Sequence, residues 1–251
     1  MNRKPLALRV RQHARMPTIA MVMAAGLGKR MRPLTASRPK PLVEVAGKAL
    51  IDHSLDRLRA AGIRNVVINV HYLADALEAH LRRHAGDLDV MVSDERDGLL
   101  ETGGGMVKAR AHLGDQPFLT VNSDNLWIDG PIDAINLLAE RWDDTTMDAL
   151  LLLVPQARAH GHNGRGDFHM DAVGRLIRRK TGRVAPFVFT GVQLVSPRLL
   201  DNAPEGSFST NILWDRAIAE DRLYGVVHQG LWFDVGTPAA IPLTEAVLAD
   251  G

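Results

Sequence analysis

The stretch Thr18-Ile-Ala-Met-Val-Met-Ala-Ala-Gly-Leu-Gly-Lys-Arg-Met-Arg-Pro33 decides the fold of this 251-residue chain. Residues 18–24 are a short apolar run, which predicts a buried strand. A loop of glycines and basic residues follows the run directly, where the strand ends. The stretch therefore predicts an α/β protein with a ligand loop at the carboxyl end of its first strand.

Outward from this stretch, strand patterns alternate with helical patterns as far as residue 154. The strand patterns cover 63–70, 88–92, 117–122 and 147–154, and the helical patterns cover 50–58, 73–81, 102–111 and 132–142. Such alternation predicts a Rossmann-like, mostly parallel mixed sheet with helices on both faces. Ligands bind beyond the carboxyl ends of the strands in these sheets. Gly26, Asp94 and Asp124 each follow a predicted strand and are therefore candidate site residues.

After residue 154 the pattern changes to a hairpin, a longer strand and two further strands. We expect residues 17–251 to form one domain, with a nucleotide-binding part at 17–154, a sugar-acceptor part at 155–235 and a closing helix at 238–248. Residues 1–16 contain five basic side chains and no acidic one. They lack the apolar core of a secretory signal, so we expect a disordered basic extension.

Composition excludes several classes of function. The chain has no cysteine, which excludes disulfides and thiolate zinc sites. It has no run of 18 apolar residues that would span a membrane, and no basic face with interleaved aromatic residues that would bind nucleic acid. We expect a cytoplasmic protein with neither a membrane nor a nucleic acid as partner. The sequence leaves the oligomeric state open.

The glycine loop is unlike a dinucleotide-binding turn. Gly26 and Gly28 are followed by Met31 where a third glycine would pack against a helix, and Pro33 prevents a helix from beginning at the glycines. Three of the four residues 29–32 are basic. Backbone N–H groups and guanidinium forks in such a loop suit a polyphosphate. The alternative is a flexible surface loop with solvated arginines.

Lys40 lies between two prolines, Pro39 and Pro41. Because proline fixes its own φ and restricts the residue before it, the Lys40 ammonium should be presented with little freedom. A rigid positive charge close to a phosphate loop suits the stabilisation of a phosphate leaving group.

Several motifs, in order, resemble the signature of the nucleoside-diphosphate-sugar pyrophosphorylases. They are Ala24–Thr35, Pro39–Leu42, Val45–Ile51, Leu100–Gly105, Val121–Asp124, Phe189–Val192 and Trp232–Thr237. The resemblance covers about residues 18–245. It implies the nucleotide-diphospho-sugar transferase fold and an enzyme that transfers a nucleotidyl group from a nucleoside triphosphate to a sugar 1-phosphate.

The resemblance also implies roles for the residues that match these motifs. Arg30 and Lys40 would be catalytic, and Asp124 and Asp234, each at the end of an apolar strand, would bind Mg²⁺. Taken alone, two strand-end carboxylates have the alternative role of capping turns. The residues implied in nucleotide binding are Ala24, Ala25, Gly26, Gly28, Lys29, Glu101, Thr102, Gly103 and Asn122.

On the sugar side the match to the family is weaker. Many members carry Glu-Lys-Pro where this chain has Arg178-Arg179-Lys180-Thr181-Gly182. Any of the three basic residues could hold the sugar phosphate, and Lys180 is one candidate; a solvated hairpin end is the alternative. Thr190, Gly191 and Asn211 match segments that face the sugar. His160, His162 and His169 lie among glycines, which predicts loop histidines and not zinc ligands.

The implied partners are UTP and a sugar 1-phosphate. The segment 101–105 and the short C-terminus resemble the branch of the family that uridylylates N-acetylmuramate 1-phosphate in the recycling of peptidoglycan, the cell-wall polymer. A mannose-1-phosphate guanylyltransferase or another hexose-1-phosphate nucleotidyltransferase is the alternative. A non-catalytic sensor of nucleotide sugars is a more distant one, because the residues at 30, 40, 124 and 234 are all retained. The atypical glycine loop disfavours a dehydrogenase.

Overall fold

A computed structural model describes residues 16–249. The predicted extension at 1–16 therefore lies outside the described residues except for Met16, which is partly buried and packs against the core. The strands are β1 (Ile19–Met23), β2 (Glu44–Val45), β3 (Lys48–Ala49), β4 (Asn65–Val70), β5 (Asp89–Asp94), β6 (Phe118–Asn122), β7 (Asn125–Ile128), β8 (Ala149–Pro155), β9 (Ala159–His160), β10 (Phe168–Met170), β11 (Leu176–Arg178), β12 (Phe187–Val195), β13 (Leu223–Val227) and β14 (Leu231–Asp234). The helices are α1 (Leu50–Ala60), α2 (Ala74–His84), α3 (Glu101–Leu113), α4 (Ala134–Arg141), α5 (Asn211–Ala219) and α6 (Ala240–Ala249). None of the helices in this described part is long and apolar enough to cross a membrane.

The main sheet confirms the predicted architecture. Strands β5, β4, β1 and β6 lie side by side and parallel. β12 then pairs antiparallel with β6 on one side and with β8 on the other, and β13 completes this edge parallel to β8. The short hairpin β10–β11 extends the sheet from the start of β12. The sheet is therefore mostly parallel and mixed, as the alternation of patterns predicts.

Helices cover both faces of this sheet. On one face, Leu55 of α1, Leu77 of α2 and Leu138 of α4 belong to one buried cluster. On the other, Met106 of α3 and Trp214 of α5 belong to a second. Because β1, β4 and β6 are buried on both sides, their sequences are mostly apolar and do not alternate, whereas the edge strand β5 is partly exposed.

A small sheet lies beside the main one and carries part of the candidate site. β14 pairs antiparallel with β7 and parallel with the two-residue strand β9. Phe233 and Leu126 of this sheet pack with Met31 in a third buried cluster, against which α6 residues also pack. His160 and His169 lie in β9 and β10, so the prediction that they are loop residues was wrong. His160 stacks on Phe233, with 5.1 Å between the ring centroids.

Candidate active site

The glycine loop leaves β1 and folds back towards Lys40. Gly28 has φ of +61°, in the left-handed region, and a Cβ there would lie 3.0 Å from Thr35 Cγ2 and 3.1 Å from Lys40 Cβ. The Thr35 hydroxyl donates to the Gly28 carbonyl at 2.8 Å. Residues Lys29–Met31 form one 3-10 turn, and no α-helix begins at the glycines. Glycine is thus required at position 28 both by conformation and by the close approach of two segments.

Lys40 and Asp124 meet beside this loop. The Lys40 ammonium donates to Asp124 Oδ2 at 2.5 Å, and the two side chains are only 12% and 27% exposed. Lys40 begins a 3-10 turn that continues through Pro41, and Asp124 lies in the turn between β6 and β7. The predicted leaving-group cation and the predicted metal ligand are therefore neighbours, and they neutralise each other in the ligand-free protein.

Asp234, at the end of β14, lies close to the same charges. Its partner in the β7 ladder is Asn125, the residue after Asp124, and Val235 N–H donates to the Asp124 carbonyl at 3.3 Å. A Cβ on Gly236 would lie 2.7 Å from Asp234 Oδ1 and 3.0 Å from an Arg30 guanidinium nitrogen. Arg30, Lys40, Asp124 and Asp234 therefore come together, although they are scattered along the chain.

Electrostatics and bonding at Asp234 fit a bound cation. Burial, followed by repulsion from Asp124, raises the pKa of the Asp234 carboxyl, against the lowering effect of Arg30 and Lys40. Within residues 16–249 its carboxylate has no hydrogen bond, and its nearest ionic neighbour is His162 Nδ1 at 3.8 Å. Nor do any three His, Asp or Glu side chains in this range form a preformed metal cluster. Two carboxylates are nevertheless the donor set that Mg²⁺ uses when phosphate oxygens supply other ligands.

Arg30, Lys40 and Asp124 border a continuous cleft at the carboxyl ends of the strands. One part, about 380 Å³ in volume, is lined by Ala24, Ala25, Asn69, Glu101, Thr102, Asn122, Asp124, Ser209 and their neighbours. A second part, about 350 Å³, is lined by residues 26–31 and by Lys40, Asp124 and Gly236. Gly26, Lys40, Leu99 and Asp124 line both parts. The cleft thus has one compartment beside the glycine loop and another beside the start of α3.

The start of α3 brings Glu101 and Thr102 to the cleft but not Gly103. Glu101 is exposed with φ of +57°, which is uncommon for a residue with a side chain. Gly103 is buried; its N–H donates to the Phe208 carbonyl at 2.9 Å, and a Cβ there would lie 2.3 Å from the Phe208 ring. Gly103 does not line the cleft, and its bare Cα accommodates the loop before α5; its contact with the nucleotide stays a prediction.

On the sugar side, Gly191 approaches the cleft through a bulge in β12. The register of β12 against β8 shifts between Phe189 and Gln193, and Gly191 has φ of +83°. A Cβ there would lie 1.9 Å from Asn125 Nδ2 and 3.0 Å from Asn122, which lines the cleft. Thr190 is fully buried, and its hydroxyl donates to the Leu152 carbonyl at 2.8 Å. The Thr190 hydroxyl is thus used within the fold, and the predicted contact of Thr190 with the sugar stays a prediction.

The three basic residues at 178–180 have different surroundings. Arg178 is held by Asp215 at 2.5 Å and by Asn211 Oδ1 at 3.1 Å, and its guanidinium lies 5.2 Å from the centre of the Phe168 ring. Arg179 donates to the Gly166 carbonyl at 2.8 Å. Lys180 is exposed, and no side-chain partner is found for it within the described chain. Neither Lys180 nor Asn211 lines the two parts of the cleft.

Several cleft residues were not predicted from the sequence. Asn69 and Ser209 line the cleft, and His162 approaches Asp234. Asn69 follows an apolar run near the end of its strand, a position that favours a site residue in a parallel sheet. His162 and Ser209 lie in loops, and their positions depend on contacts between distant segments that no local pattern contains.

Comparisons with known proteins show the family to which the chain is similar. The profile of the nucleotidyl transferase family matches residues 19–167. The chain is 48% identical to the N-acetylmuramate alpha-1-phosphate uridylyltransferase of Caulobacter vibrioides over 93% of this chain and 98% of that protein. It is 28% identical to the mannose-1-phosphate guanylyltransferase catalytic subunit beta of Dictyostelium discoideum, over 87% of this chain and 61% of that one. A putative glucose-1-phosphate thymidylyltransferase from Bacillus anthracis has the same fold, with a TM-score of 0.76 at 16% identity over 93% of this chain and 96% of that one.

Proposed function

The chain belongs to the nucleotidyl transferase family, and from that premise we propose that it transfers the uridylyl group of UTP to N-acetylmuramate 1-phosphate and releases pyrophosphate. The observation that carries this reaction is the convergence of two cations, Arg30 and Lys40, with two carboxylates, Asp124 and Asp234, beside the basic loop. The choice of substrates is supported by the identity to the Caulobacter vibrioides relative, which exceeds that to the guanylyltransferase.

The proposed reaction is a direct displacement. A phosphate oxygen of the sugar 1-phosphate attacks the α-phosphorus of UTP and forms a new P–O bond. The bond from that phosphorus to the oxygen bridging the α and β positions breaks, and its electron pair leaves with pyrophosphate. Arg30 and Lys40 stabilise the charge on the leaving group. No covalent enzyme intermediate is required, so the site needs no activated nucleophile.

Mg²⁺ is the proposed cofactor, with Asp124 and Asp234 as its protein ligands. When bound, the ion supplies positive charge that offsets the repulsion between two anionic phosphates. Asp234, which lacks a hydrogen bond in the described chain, is available for this role as it stands. Asp124 becomes available when Lys40 turns from it to the phosphates of the nucleotide.

The remaining nucleotide contacts are proposed from access to the cleft, and the sugar contacts from the resemblance to the family. Backbone groups of residues 24–29 would contact the phosphates, and Glu101, Thr102 and Asn122 would contact the nucleoside. Gly191 and Asn211 are the proposed contacts to the sugar. Lys180 is the proposed partner of the sugar phosphate, because Arg178 and Arg179 are already held by other protein groups. The product would serve peptidoglycan recycling in the cytoplasm.

Pyrophosphate release measured with four nucleoside triphosphates and a panel of sugar 1-phosphates, with and without Mg²⁺, tests this function. We expect the highest kcat/KM for UTP with N-acetylmuramate 1-phosphate, and no turnover without the metal. A preference for GTP with mannose 1-phosphate would replace the proposed substrates by the alternative pair. Absence of turnover with every pair would overturn the catalytic function itself.

A further inference from the structure

Glu95 is a fully buried carboxylate that the proposed reaction does not use. It lies directly after β5 and is 0% exposed, although aspartate and glutamate are rarely buried in this way. We propose that Glu95 is a positioning residue: acting through Asn69, it fixes the distance between the phosphate loop and the segment that holds the nucleoside. This inference rests on the proposed function, because it assigns those two segments to one nucleotide.

A chain of three hydrogen bonds carries the proposal. Ala24 N–H, at the start of the glycine loop, donates to Asn69 Oδ1 at 2.6 Å. Asn69 Nδ2 donates to Glu95 Oε1 at 2.8 Å. Leu100 N–H, next to Glu101 at the start of α3, donates to the other carboxylate oxygen, Glu95 Oε2, at 3.1 Å. The two buried side chains thus connect both walls of the cleft.

This chain of three hydrogen bonds, called the relay below, also requires an asparagine at position 69 and a glutamate at position 95. Two N–H donors point at Glu95, one on each oxygen, so both of its oxygens must accept. Asn69 must accept on one side and donate on the other, which fixes the orientation of its amide. Gly105 provides the space, since a Cβ there would lie 2.9 Å from Glu95 Oε1 and 3.1 Å from Asn69 Nδ2.

The backbone around Glu95 is held independently of its carboxylate. Glu95 N–H donates to the Val70 carbonyl at 2.8 Å, and the Glu95 carbonyl bonds to His71 Nδ1 at 2.7 Å and to Gly98 N–H at 3.0 Å. A change in the carboxylate should therefore leave the strand end in place. Its effect should be concentrated on the two partners, Asn69 and Leu100, at the nucleotide compartment.

The arrangement permits a test by exchange of donor and acceptor. In Glu95→Gln the chain of hydrogen bonds has an N–H donor at each end, Ala24 and Leu100, and two amides between them. If both amide oxygens face these end donors, the two NH₂ groups face each other. If either amide turns round, its NH₂ group faces an end donor, so one donor–donor conflict remains in every orientation. In Asn69→Asp two carboxylates face each other. In the double variant Glu95→Gln/Asn69→Asp the direction of the central bond is reversed, and all three hydrogen bonds can form again.

The experiment measures KM for UTP, KM for the sugar 1-phosphate, kcat and the thermal unfolding temperature of both single variants and the double variant. Glu220→Gln, an exposed glutamate on the far side of the fold, is the matched control. We expect each single change to raise KM for UTP about tenfold, as a buried hydrogen bond left unmade would do. KM for the sugar phosphate should change much less, and the double variant should return KM for UTP to within about threefold of wild type.

Specific outcomes would overturn the proposal. Single variants with an unchanged KM for UTP would reduce Glu95 to a packing residue, as would a double variant whose defect is the product of the two single ones. If a single variant does not fold, the double variant must still fold and bind UTP, as measured by quenching of tryptophan fluorescence. A wild-type protein that turns over no substrate pair would count against the proposed function. In that case the affinity of the same variants for UTP, measured by fluorescence quenching, would still test the role of Glu95.

Discussion

Lys40 and Asp124 form an ion pair in a cleft that is only partly open to water. Each charge offsets the other, so neither Lys40 nor Asp124 is a buried charge without a partner. A nucleotide that binds there must exchange partners with both residues, since its phosphates would take Lys40 and its metal would take Asp124. Under the proposed function both side chains act on charge that develops at the phosphates, so we expect both to affect turnover more than folding.

The variant Asp124→Asn tests this role. It keeps the shape of the side chain but loses the charge, and we expect kcat to fall by about 10²–10³, as for the loss of one electrostatic stabiliser in other enzymes. The measurement is pyrophosphate release at saturating Mg²⁺, with Asp115→Asn, an exposed change at the opposite end of β6, as the control. Near-normal turnover of Asp124→Asn under these conditions would contradict the proposed role of Asp124 as a metal ligand.

The sequence predicted one site for the residues at 30, 40, 124 and 234 because all four lie in motifs that resemble those of the family, and the two carboxylates also end apolar strands. Thr190 and Gly103 have packing roles that the sequence did not predict. Both lie within motifs of the family. The Thr190 hydroxyl donates to the Leu152 carbonyl, and the Phe208 ring packs against the Gly103 Cα. Contacts of this kind arise only when distant segments pack, so a motif predicts where a residue lies better than what its side chain does.

At the level of elements, α3 begins with glycines because the loop before α5 packs on it. Gly103 and Gly104 N–H groups both bond to the Phe208 carbonyl, at 2.9 and 3.2 Å, and a Cβ on Gly104 would lie 2.2 Å from the Gly206 carbonyl oxygen. Thr102 Oγ1 accepts from Thr210 N–H at 3.0 Å. The start of α3 and the loop before α5 are thus joined at this helix terminus.

Gly103→Ala should therefore destabilise the protein, although alanine normally favours a helix over glycine by about 0.5–1 kcal/mol. We expect the free energy of unfolding to fall by about 1–3 kcal/mol, since the methyl group overlaps the Phe208 ring. Urea denaturation measures the change, and Gly86→Ala, where no atom lies within 4 Å of the new methyl group, is the control. Equal stability of the two variants would contradict the close packing described for α3.

A buried histidine in the turn between β13 and β14 should make the protein sensitive to acid. His228 is 0% exposed, and its Nε2 lies 3.1 Å from the Ile128 carbonyl and 3.2 Å from the Leu231 carbonyl. Burial lowers the pKa of His228 below the model-peptide value of 6.5, against the raising effect of these two carbonyls. The folded protein therefore holds this imidazole neutral at pH values where the unfolded chain binds a proton.

Because the unfolded state binds more protons, stability should fall as the pH drops below about 6.5, by up to about 1.4 kcal/mol per pH unit for this one group. The loss should level off below the depressed pKa of the folded state. Urea denaturation at pH 7.5, 6.5 and 5.5 measures it, and His228→Gln should show a shallower dependence than wild type. The exposed change His169→Gln serves as the control, and a wild-type slope in His228→Gln would contradict the assignment.

Sequence patterns predicted the elements of the main sheet more completely than those of the small one. The runs in β1, β4, β6 and β8 are long, apolar and buried on both faces, so they are visible without knowledge of their partners. β7 and β9 were not predicted. β9 has two residues, and its pairing with β14 joins segments far apart in the chain, so no local periodicity indicates it.

On the scale of the whole molecule, β12 joins the two parts of the predicted domain. It pairs with β6 of the nucleotide-binding part on one side and with β8 on the other, and its first residue pairs with β10 of the acceptor part. Removing either part would expose the edge of a central strand. We therefore expect the protein to unfold as one unit despite its length.

Thermal unfolding followed by tryptophan fluorescence and by far-UV circular dichroism should give one coincident transition. Trp127 and Trp232 belong to one buried cluster and Trp214 to the other, so fluorescence reports on both faces of the sheet. Mg²⁺ with UTP at 100 times its Kd should stabilise the whole transition by about 2.7 kcal/mol. Two separate transitions, or a shift confined to one probe, would contradict a single domain.

The hydrogen-bond register between β14 and β7 fixes the position of Asp234 through main-chain contacts. It places Asp234 opposite Asn125, and thereby next to Asp124, without any contribution from the length of the loops around it. Ladder positions exist only in whole residues, and a slip of one would turn the Asp234 side chain to the other face. Insertions in the neighbouring loops should therefore leave the spacing between the Asp124 and Asp234 carboxylates unchanged. A laboratory library that seeks new acceptors should vary those loops and leave residues 125–128 and 231–234 untouched.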